Sequence, residues 1–575
     1  MRQPFPGQGA SRGNALGRAR VRQPHALEVA EERIARTAVP GEIVRLHEAI
    51  DMVRTELRDL RSRLHGALAS EVGEFLDLHA LLLDDPELLQ GLDELITRQR
   101  YGADYALRLQ RNRLAAVFER MDDPYFRSRV EDIDHVIGRI HSALHRHDAQ
   151  VAGIAGEILV ADALAPSEVA RLHARGVLGI VTSGGSMLSH SAILARSLHL
   201  PLVVGAPQAL AQVNDGDVLM IDGGTGLVIV DPDADDLRAH RERVRDGKRE
   251  RRQLHRLRRE PSRTRDGVDI RLYANAESRE DVAESHALGA AGVGLYRTEF
   301  LFLQRDGLPS EEEQFVAYRD LVLGLTGRIA TIRTLDVGAD KADGSGLALP
   351  FEPNPALGVR GVRLALRRRD VFATQLRAIL RASGYGPLRI LLPMVARREE
   401  LLATRRLLRQ TAAKLRREGH AVADGIPLGA MIEVPAAAIA LPALVDLIDF
   451  ISIGTNDLVQ YLLAADRGND ALQDLHSPLH PAVLQLLHQV IATARAHGRT
   501  AAVCGEMAGD PLFTPLLLAL GLEEFSVHPA TLLEVRRELR AHDLSALRKR
   551  APALLRARDR AGIERWLATA RAAAE

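Results

Sequence analysis

The stretch Gly292-Val293-Gly294-Leu295-Tyr296-Arg297-Thr298-Glu299-Phe300 sets five small or apolar residues against an arginine, a hydroxyl and a carboxylate. A short run, apolar throughout and closed by polar residues, reads as a strand buried on both faces, the kind that builds parallel sheets. The pattern recurs through the C-terminal half. Asp269–Ala274, Ile329–Ile332, Arg389–Pro393, Leu428–Ile432, Phe450–Gly454, Thr500–Val503 and Glu524–Val527 complete a set of eight, separated by helical spacers. Eight strand-helix units over roughly 300 residues have the size of a (β/α)8 TIM-type barrel, whose reactive residues gather at the C-terminal ends of the strands. Here those ends carry Asn275 and Glu277, Arg297 and Glu299, Arg333 and Asp336, Glu433, Asn456 and Asp457, and Cys504 and Glu506.

Outward from this half, Asp231 to Arg265 is charge-dense and arginine-rich, which predicts a solvated linker helix in preference to a nucleic-acid surface; Gly247 and Pro261 are its candidate bend points. Between Val151 and Val230, apolar runs at Gly156–Val160, Val177–Val181, Leu202–Val204, Val218–Ile221 and Leu227–Val230 alternate with helical patterns, the signature of a compact β/α domain. From Ala26 to Asp148 the period turns helical. Ile43, Leu46, Ile50, Val53, Leu57, Leu60 and Leu64 make one long amphipathic helix, and Glu71–Leu83, Pro86–Gln99, Ala103–Met121 and Tyr125–His145 extend it to a bundle. His79 reads as a surface or packing residue within it. Gly9 to Val21 is too glycine-rich for a helix and is expected to be an edge strand or loop that pairs with something later; residues 1–8 are expected to fray.

Composition narrows the classes. Lys+Arg and Asp+Glu both number 76 in 575 residues, so no general polyanion binder is implied. No apolar stretch reaches the roughly 18 residues of a membrane span, and Met1–Arg22 lacks the apolar core of a secretion signal, so cytoplasmic residence is expected. The single cysteine, Cys504, excludes an intrachain disulfide and any cysteine-based metal cluster.

Two places invite chemistry. In Gly184-Gly185-Ser186-Met187-Leu188-Ser189-His190-Ser191-Ala192 a glycine-rich turn enters a helical pattern, which puts His190 near unpaired backbone N–H groups that favour an anion. Alone, a histidine beside an apolar run is more often a packed or capping residue. At the barrel mouth, arginines suit a small anion bearing carboxylate and phosphate, because the guanidinium fork grips either group with two parallel bonds. Carboxylates without histidine or further cysteine suit Mg2+, with Glu433 and Asp457 the best ligand pair; ion pairs with barrel arginines are the plainer reading of both. Cys504 is either a buried small hydrophobe, the favoured reading on its own, or a proton donor to an enolate.

Taken together, Gly184-Gly185 with Ser189-His190 and Ala195-Arg196, Gly294–Phe300, Ile332-Arg333-Thr334-Leu335-Asp336-Val337-Gly338-Ala339-Asp340-Lys341, Asn354–Arg360, Ile453–Leu458, Asp466–Asn469 and Cys504-Gly505-Glu506 resemble enzyme I of the bacterial sugar phosphotransferase system. The resemblance covers nearly the whole chain, in order. It implies a multidomain α/β protein: a swivelling β/α phosphohistidine domain (1–25 and 149–230) with an inserted helical bundle (26–148) that binds the phosphocarrier HPr, a helical linker (231–265) and a phosphoenolpyruvate-binding, dimerising (β/α)8 barrel (266–575). It implies His190 as phosphoryl acceptor, Arg297, Arg333, Asn456, Asp457 and Arg467 around phosphoenolpyruvate with Arg360 on its phosphate, Glu433 and Asp457 on Mg2+, and Cys504 as the acid that yields pyruvate. It also implies a homodimer formed through the barrel. The chain departs from the family's run of Gly-Gly, one variable residue and Thr-Ser-His by an apparent one-residue insertion, with Leu188 where threonine is expected; His528-Pro529 near the eighth strand is unusual and receives no role. A phosphoenolpyruvate synthase or pyruvate phosphate dikinase would carry a nucleotide-binding domain before the histidine domain, where this chain has about 150 residues of helical pattern without a glycine-rich phosphate loop. A nitrogen-related enzyme I would need an additional N-terminal sensory domain. A catalytically silent phosphoenolpyruvate sensor would have no need of His190, Cys504, Glu433 and Asp457 together.

Overall fold

The computed structural model describes residues 2–22, 33–63, 79–119, 133–134, 136–141, 143–144, 154–164, 166–185, 189–198, 200–302, 307–339, 346–347, 349–467, 472 and 474–574. The chain divides into two compact units, Met1–Lys248 and Arg249–Glu575.

In the first unit the described strands are β1 (Gln3–Pro6), β2 (Gln8–Ser11), β3 (Asn14–Arg22), β4 (Glu157–Ala161), β5 (Gly179–Thr182), β6 (Leu202–Val204), β7 (Val218–Asp222) and β8 (Leu227–Val230). They form one mixed sheet in the order β1-β8-β7-β3-β4-β5-β6-β2. Two expectations fail here. Of the residues expected to fray, 3–6 are a strand: β1 pairs antiparallel with β8 from Gln3↔Val230 to Pro6↔Leu227, at an edge where Pro4 and Pro6 cost the ladder little. The glycine-rich segment is not merely an edge strand or loop, because β3 lies centrally, parallel to β4 and antiparallel to β7. Its small residues allow this; Ala15 and Ala19 are buried and a Cβ on Gly17 would crowd Gly156 O at 3.0 Å. The earlier residues Gln8–Ser11 do take an edge, against β6.

Helices Val39–Arg63, Pro86–Thr97 and Ala103–Glu119 belong to the predicted bundle. Leu46, Ile50, Val53 and Leu57 are at most 2% exposed, so the three-and-four spacing is the buried face of the first helix. Asp85 caps the second by accepting the Glu87 N–H at 2.8 Å, ahead of Pro86 at its first position. His79 is fully buried, a packing residue. The expected helix Glu71–Leu83 up to Leu78, and Tyr125–His145 apart from residues 133–134, 136–141 and 143–144, lie outside the described residues.

In the second unit β9 (Arg271–Ala276), β10 (Gly292–Tyr296), β11 (Ile329–Arg333), β12 (Leu388–Leu392), β13 (Leu428–Ile432), β14 (Phe450–Ile453), β15 (Thr500–Val503) and β16 (Glu524–Val527) close into a parallel barrel. Closure is made by β16 and β9, paired from Glu524↔Arg271 to Val527↔Ala274. The first strand begins two residues later than expected, which places Asn275 within β9. The charge-rich segment is helical over Ala234–Arg256, and the boundary between the units falls inside that helix. His528 acquires a role: its Nδ1 accepts the Ala530 N–H at 3.3 Å and caps helix Pro529–Ala541.

Candidate active site

His190 is the first residue of helix His190–Ser197, whose N-cap Ser189 accepts the Ala192 N–H at 3.2 Å. The cap takes up the Ala192 N–H, and the other N–H groups of a helix's first turn have no partner within the helix and favour an anion. Ala192, Leu194 and Ala195 bury the opposite face, and Arg196 reaches back to the Ala10 carbonyl at 2.8 Å. Gly185 enters the turn at φ +93°, a conformation that favours glycine. The variant turn Ser186-Met187-Leu188 and the His190 imidazole lie outside the described residues.

At the barrel mouth the strand ends bring together arginines and carboxylates from distant parts of the chain. Arg333, at the end of β11, faces Glu299 at 3.1 Å and Asp336 at 3.9 Å, and its Nε has no hydrogen-bond partner among the described residues. Burial works against its charge, but Glu299, Asp336 and Glu433 outweigh that and raise its pKa. Arg360 binds Asp336 with both arms, at 2.9 and 2.7 Å, and touches Asp457 at 3.3 Å and the Tyr461 hydroxyl at 3.4 Å. Its pKa is likewise raised: the carboxylates of Asp336 and Asp457 exceed the cost of burial. The plainer reading of Asp457, an ion pair with a barrel arginine, is therefore realised in part.

Glu433, past β13, is 1% exposed and accepts the Met394 N–H at 2.6 Å. Burial, and then repulsion from Asp336 and Asp457, push its pKa up to about 8, against the pull of Arg333 and the Met394 N–H. The repulsion that Asp336 and Asp457 exert on Glu433 is of the kind a bound cation would relieve, even with Arg360 bonded to both. Among the described residues no three His, Cys, Asp or Glu side chains already surround a common cation position. Mg2+ needs no such cage, since it keeps waters and leans on one or two carboxylates plus substrate phosphate; Glu433 and Asp457 fit that requirement.

Arg297 donates to Glu277 at 2.5 Å, and its side chain is two-fifths exposed. Cys504 packs with Leu295, Leu391, Met431 and Phe450, and its thiol donates to the Ile453 carbonyl at 3.5 Å. Burial raises its pKa, which keeps the thiol protonated, the state a proton donor requires. A Cβ on the next residue, Gly505, would overlap Thr455 Oγ1, so only glycine lets the Cys504 strand end lie against the start of helix Thr455–Leu463. Two predicted residues are not bonded to these arginines and carboxylates among the described residues. Asn456 uses both amide atoms on Glu506, at 3.1 and 2.9 Å. Arg467 is exposed, and its guanidinium makes no hydrogen bond or ion pair among the described residues.

Sequence reasoning named Glu277, Glu299 and Asp336 as strand-end residues but gave them no part; the structure makes them the partners that orient the arginines. Tyr461 was missed, although it lies one turn beyond Asp457 on the same helix face, which was the available signal. Met394, at φ +57°, had no signal at all.

Three family profiles match in sequence order: the N-terminal domain of PEP-utilising enzymes over residues 6–129, their mobile domain over 153–226 and their PEP-binding domain over 251–544. A phosphoenolpyruvate-protein phosphotransferase of Cupriavidus necator is 45% identical over 92% of this chain and 93% of its own. The chain belongs to the phosphoenolpyruvate-protein phosphotransferases. A second phosphoenolpyruvate-protein phosphotransferase, from Geobacillus stearothermophilus, is 40% identical over 93% of this chain and 92% of its own. A solved Enzyme I protein is 29% identical, covering 42% of this chain and 99% of that one, with a TM-score of 0.36. Membership makes the chain an enzyme of phosphoenolpyruvate-dependent phosphotransfer, and no helix among the described residues is long and apolar enough to cross a membrane.

Proposed function

We propose that the chain takes the phosphoryl group of phosphoenolpyruvate onto His190, releases pyruvate, and passes the group to a histidine of HPr, the first step of sugar uptake by the phosphotransferase system. The observation that carries the reading is the convergence of Arg333, Arg360, Glu433, Asp457 and Cys504 on one barrel mouth, in a chain whose mobile-domain match contains His190 at a helix start. Arg297 and Arg333 hold the carboxylate and phosphate, with Arg360, Asn456, Asp457 and Arg467 completing the substrate's surroundings. Bound at Glu433 and Asp457, Mg2+ would supply charge neutralisation to the phosphate. A neutral imidazole nitrogen attacks phosphorus in line as the bond to the enol oxygen breaks, and the electron pair leaves with the enolate. Cys504 gives its proton to the enolate carbon, and the thiolate recovers one from water. The imidazole must then face HPr, for which the bundle at 26–148 is the docking surface and the linker helix the hinge. The enzyme works in the cytoplasm as a homodimer formed through the barrel.

The deciding experiment supplies phosphorus-labelled phosphoenolpyruvate and Mg2+. The protein should acquire acid-labile, base-stable label, which HPr removes and which His190→Ala abolishes. Labelling that survives His190→Ala sinks the mechanism, and a requirement for ATP replaces it with a dikinase.

A further inference from the structure

Behind the barrel mouth lies a chain of polar side chains that the mechanism leaves unused. Gln375 on helix Arg369–Ala382, Thr298 after β10, and Tyr318 and Gln314 on helix Glu311–Gly324 are each at most 1% exposed. The Gln375 side-chain oxygen accepts the Leu335 N–H at 3.0 Å, while its nitrogen donates to Thr298 Oγ1 at 3.1 Å and to Tyr318 Oη at 3.2 Å. Thr298 donates onward to the Arg333 carbonyl at 2.9 Å, Tyr318 to Gln314 Oε1 at 3.2 Å, and Gln314 to the Pro309 carbonyl at 3.0 Å.

The donors and acceptors leave one solution. A backbone N–H can only donate, so the Gln375 atom facing Leu335 is its oxygen, and the nitrogen must face the two hydroxyls. Each hydroxyl has one proton, which goes onward, so both accept from Gln375. A buried network satisfied in every member is rigid.

Its position gives it a task. The β10–β11 ladder ends at Tyr296↔Ile332. Past that point Thr298 holds the Arg333 carbonyl and Gln375 holds the N–H of Leu335 two residues on, so the backbone that aims the Arg333 side chain is fixed at two points. Glu299, next to Thr298, is the carboxylate that meets the Arg333 guanidinium. We infer that Gln375, acting through Thr298 and the Leu335 N–H, is the positioning residue that sets the aim of Arg333 at phosphoenolpyruvate. This rests on the reading that Arg333 binds that substrate.

The test uses the full-length chain with phosphoenolpyruvate and Mg2+, measuring the rate of self-phosphorylation per folded molecule against substrate concentration. Gln375→Met keeps the length of the side chain and removes its hydrogen bonds. It should lower the rate at subsaturating substrate by about a hundredfold, through both the half-saturation concentration and the limiting rate, as expected for a misaimed clamp. In an Arg333→Ala background the same substitution should change the rate by less than about twofold, because the group it aims is gone. Should Gln375→Met not fold, Thr298→Val, which swaps one hydroxyl for a methyl, carries the test with an expected loss of about tenfold. A rate within about twofold of the parent, or the full loss repeated in the Arg333→Ala background, overturns the proposal. Failure of the underlying reading would look different: Arg333→Ala would by itself phosphorylate at the parent rate.

Discussion

The two ends of the barrel both bury arginine, yet they use it in opposite ways. At the mouth Arg333 and Arg360 lie among Glu299, Asp336, Glu433 and Asp457, and the carboxylates raise their pKa despite burial. At the floor Arg389, the second residue of β12, lies 4.3 Å from the Phe450 ring and 5.2 Å from that of Tyr273, with Glu524 no closer than 3.9 Å. There burial prevails and the pKa of Arg389 falls. Similar burial thus produces opposite electrostatics, and what decides between them is whether the guanidinium faces carboxylates or aromatic rings. At the mouth a cation would relieve the repulsion on Glu433, and the charged Arg333 and Arg360 suit an anion. The floor is closed by cation–π contact and by the Arg389 Nε bond to Thr331 Oγ1 at 2.7 Å, as the division of a TIM barrel into a reactive and a stabilising face anticipates.

The contrast is most exposed to failure at Arg333. Arg333→Ala should cost about a thousandfold in self-phosphorylation by phosphoenolpyruvate per folded molecule; a parent-like rate would erase the distinction between the two ends. Cys504 stands on the border, since it packs against Phe450 of the floor. Cys504→Ser should slow pyruvate release by about a hundredfold, and a parent-like rate would move the cysteine to the structural side. At the floor, Arg389→Ala should lower unfolding free energy by about 3 kcal/mol in chemical denaturation, with the rate per folded molecule unchanged. The smallest effect is expected at Asp266, whose carboxylate caps helix Leu544–Leu555 through the Leu544 and Ser545 N–H groups. Burial pushes its pKa up, but hydrogen bonds from Thr264, Leu544 and Ser545 prevail and hold it well below the usual carboxylate range. The ionised form is the one that folding favours, so its contribution is full above about pH 4 and fades as pH falls toward the folded pKa. Asp266→Asn should therefore cost less than about 1 kcal/mol at pH 7, with the gap from the parent narrowing below pH 4.

The barrel strands were legible because each is a short apolar run buried on both faces, and Gly292–Tyr296, Leu428–Ile432, Thr500–Val503 and Glu524–Val527 were read with their observed limits. The central place of β3 was not legible. Glycine and alanine there carry no periodic signal of their own, and the strand exists because β4 and β7 flank it. The mouth shows the same split. Arg297, Arg333, Glu433 and Cys504 were visible as the polar residues that end apolar runs, whereas the part of Asp336 was not, because holding Arg360 requires a partner 24 residues away.

By itself the sequence determined the eight barrel strands and which polar residues stand at their ends, since burial patterning and chain punctuation are local properties. The tertiary structure alone decided which arginine faces which carboxylate, that Glu433 is crowded enough to resist ionisation, and that Gln375 reaches the backbone beside Arg333. The physical reason is common to all three. Each depends on distances between groups far apart along the chain, and at the barrel mouth those distances are set by closure of the sheet.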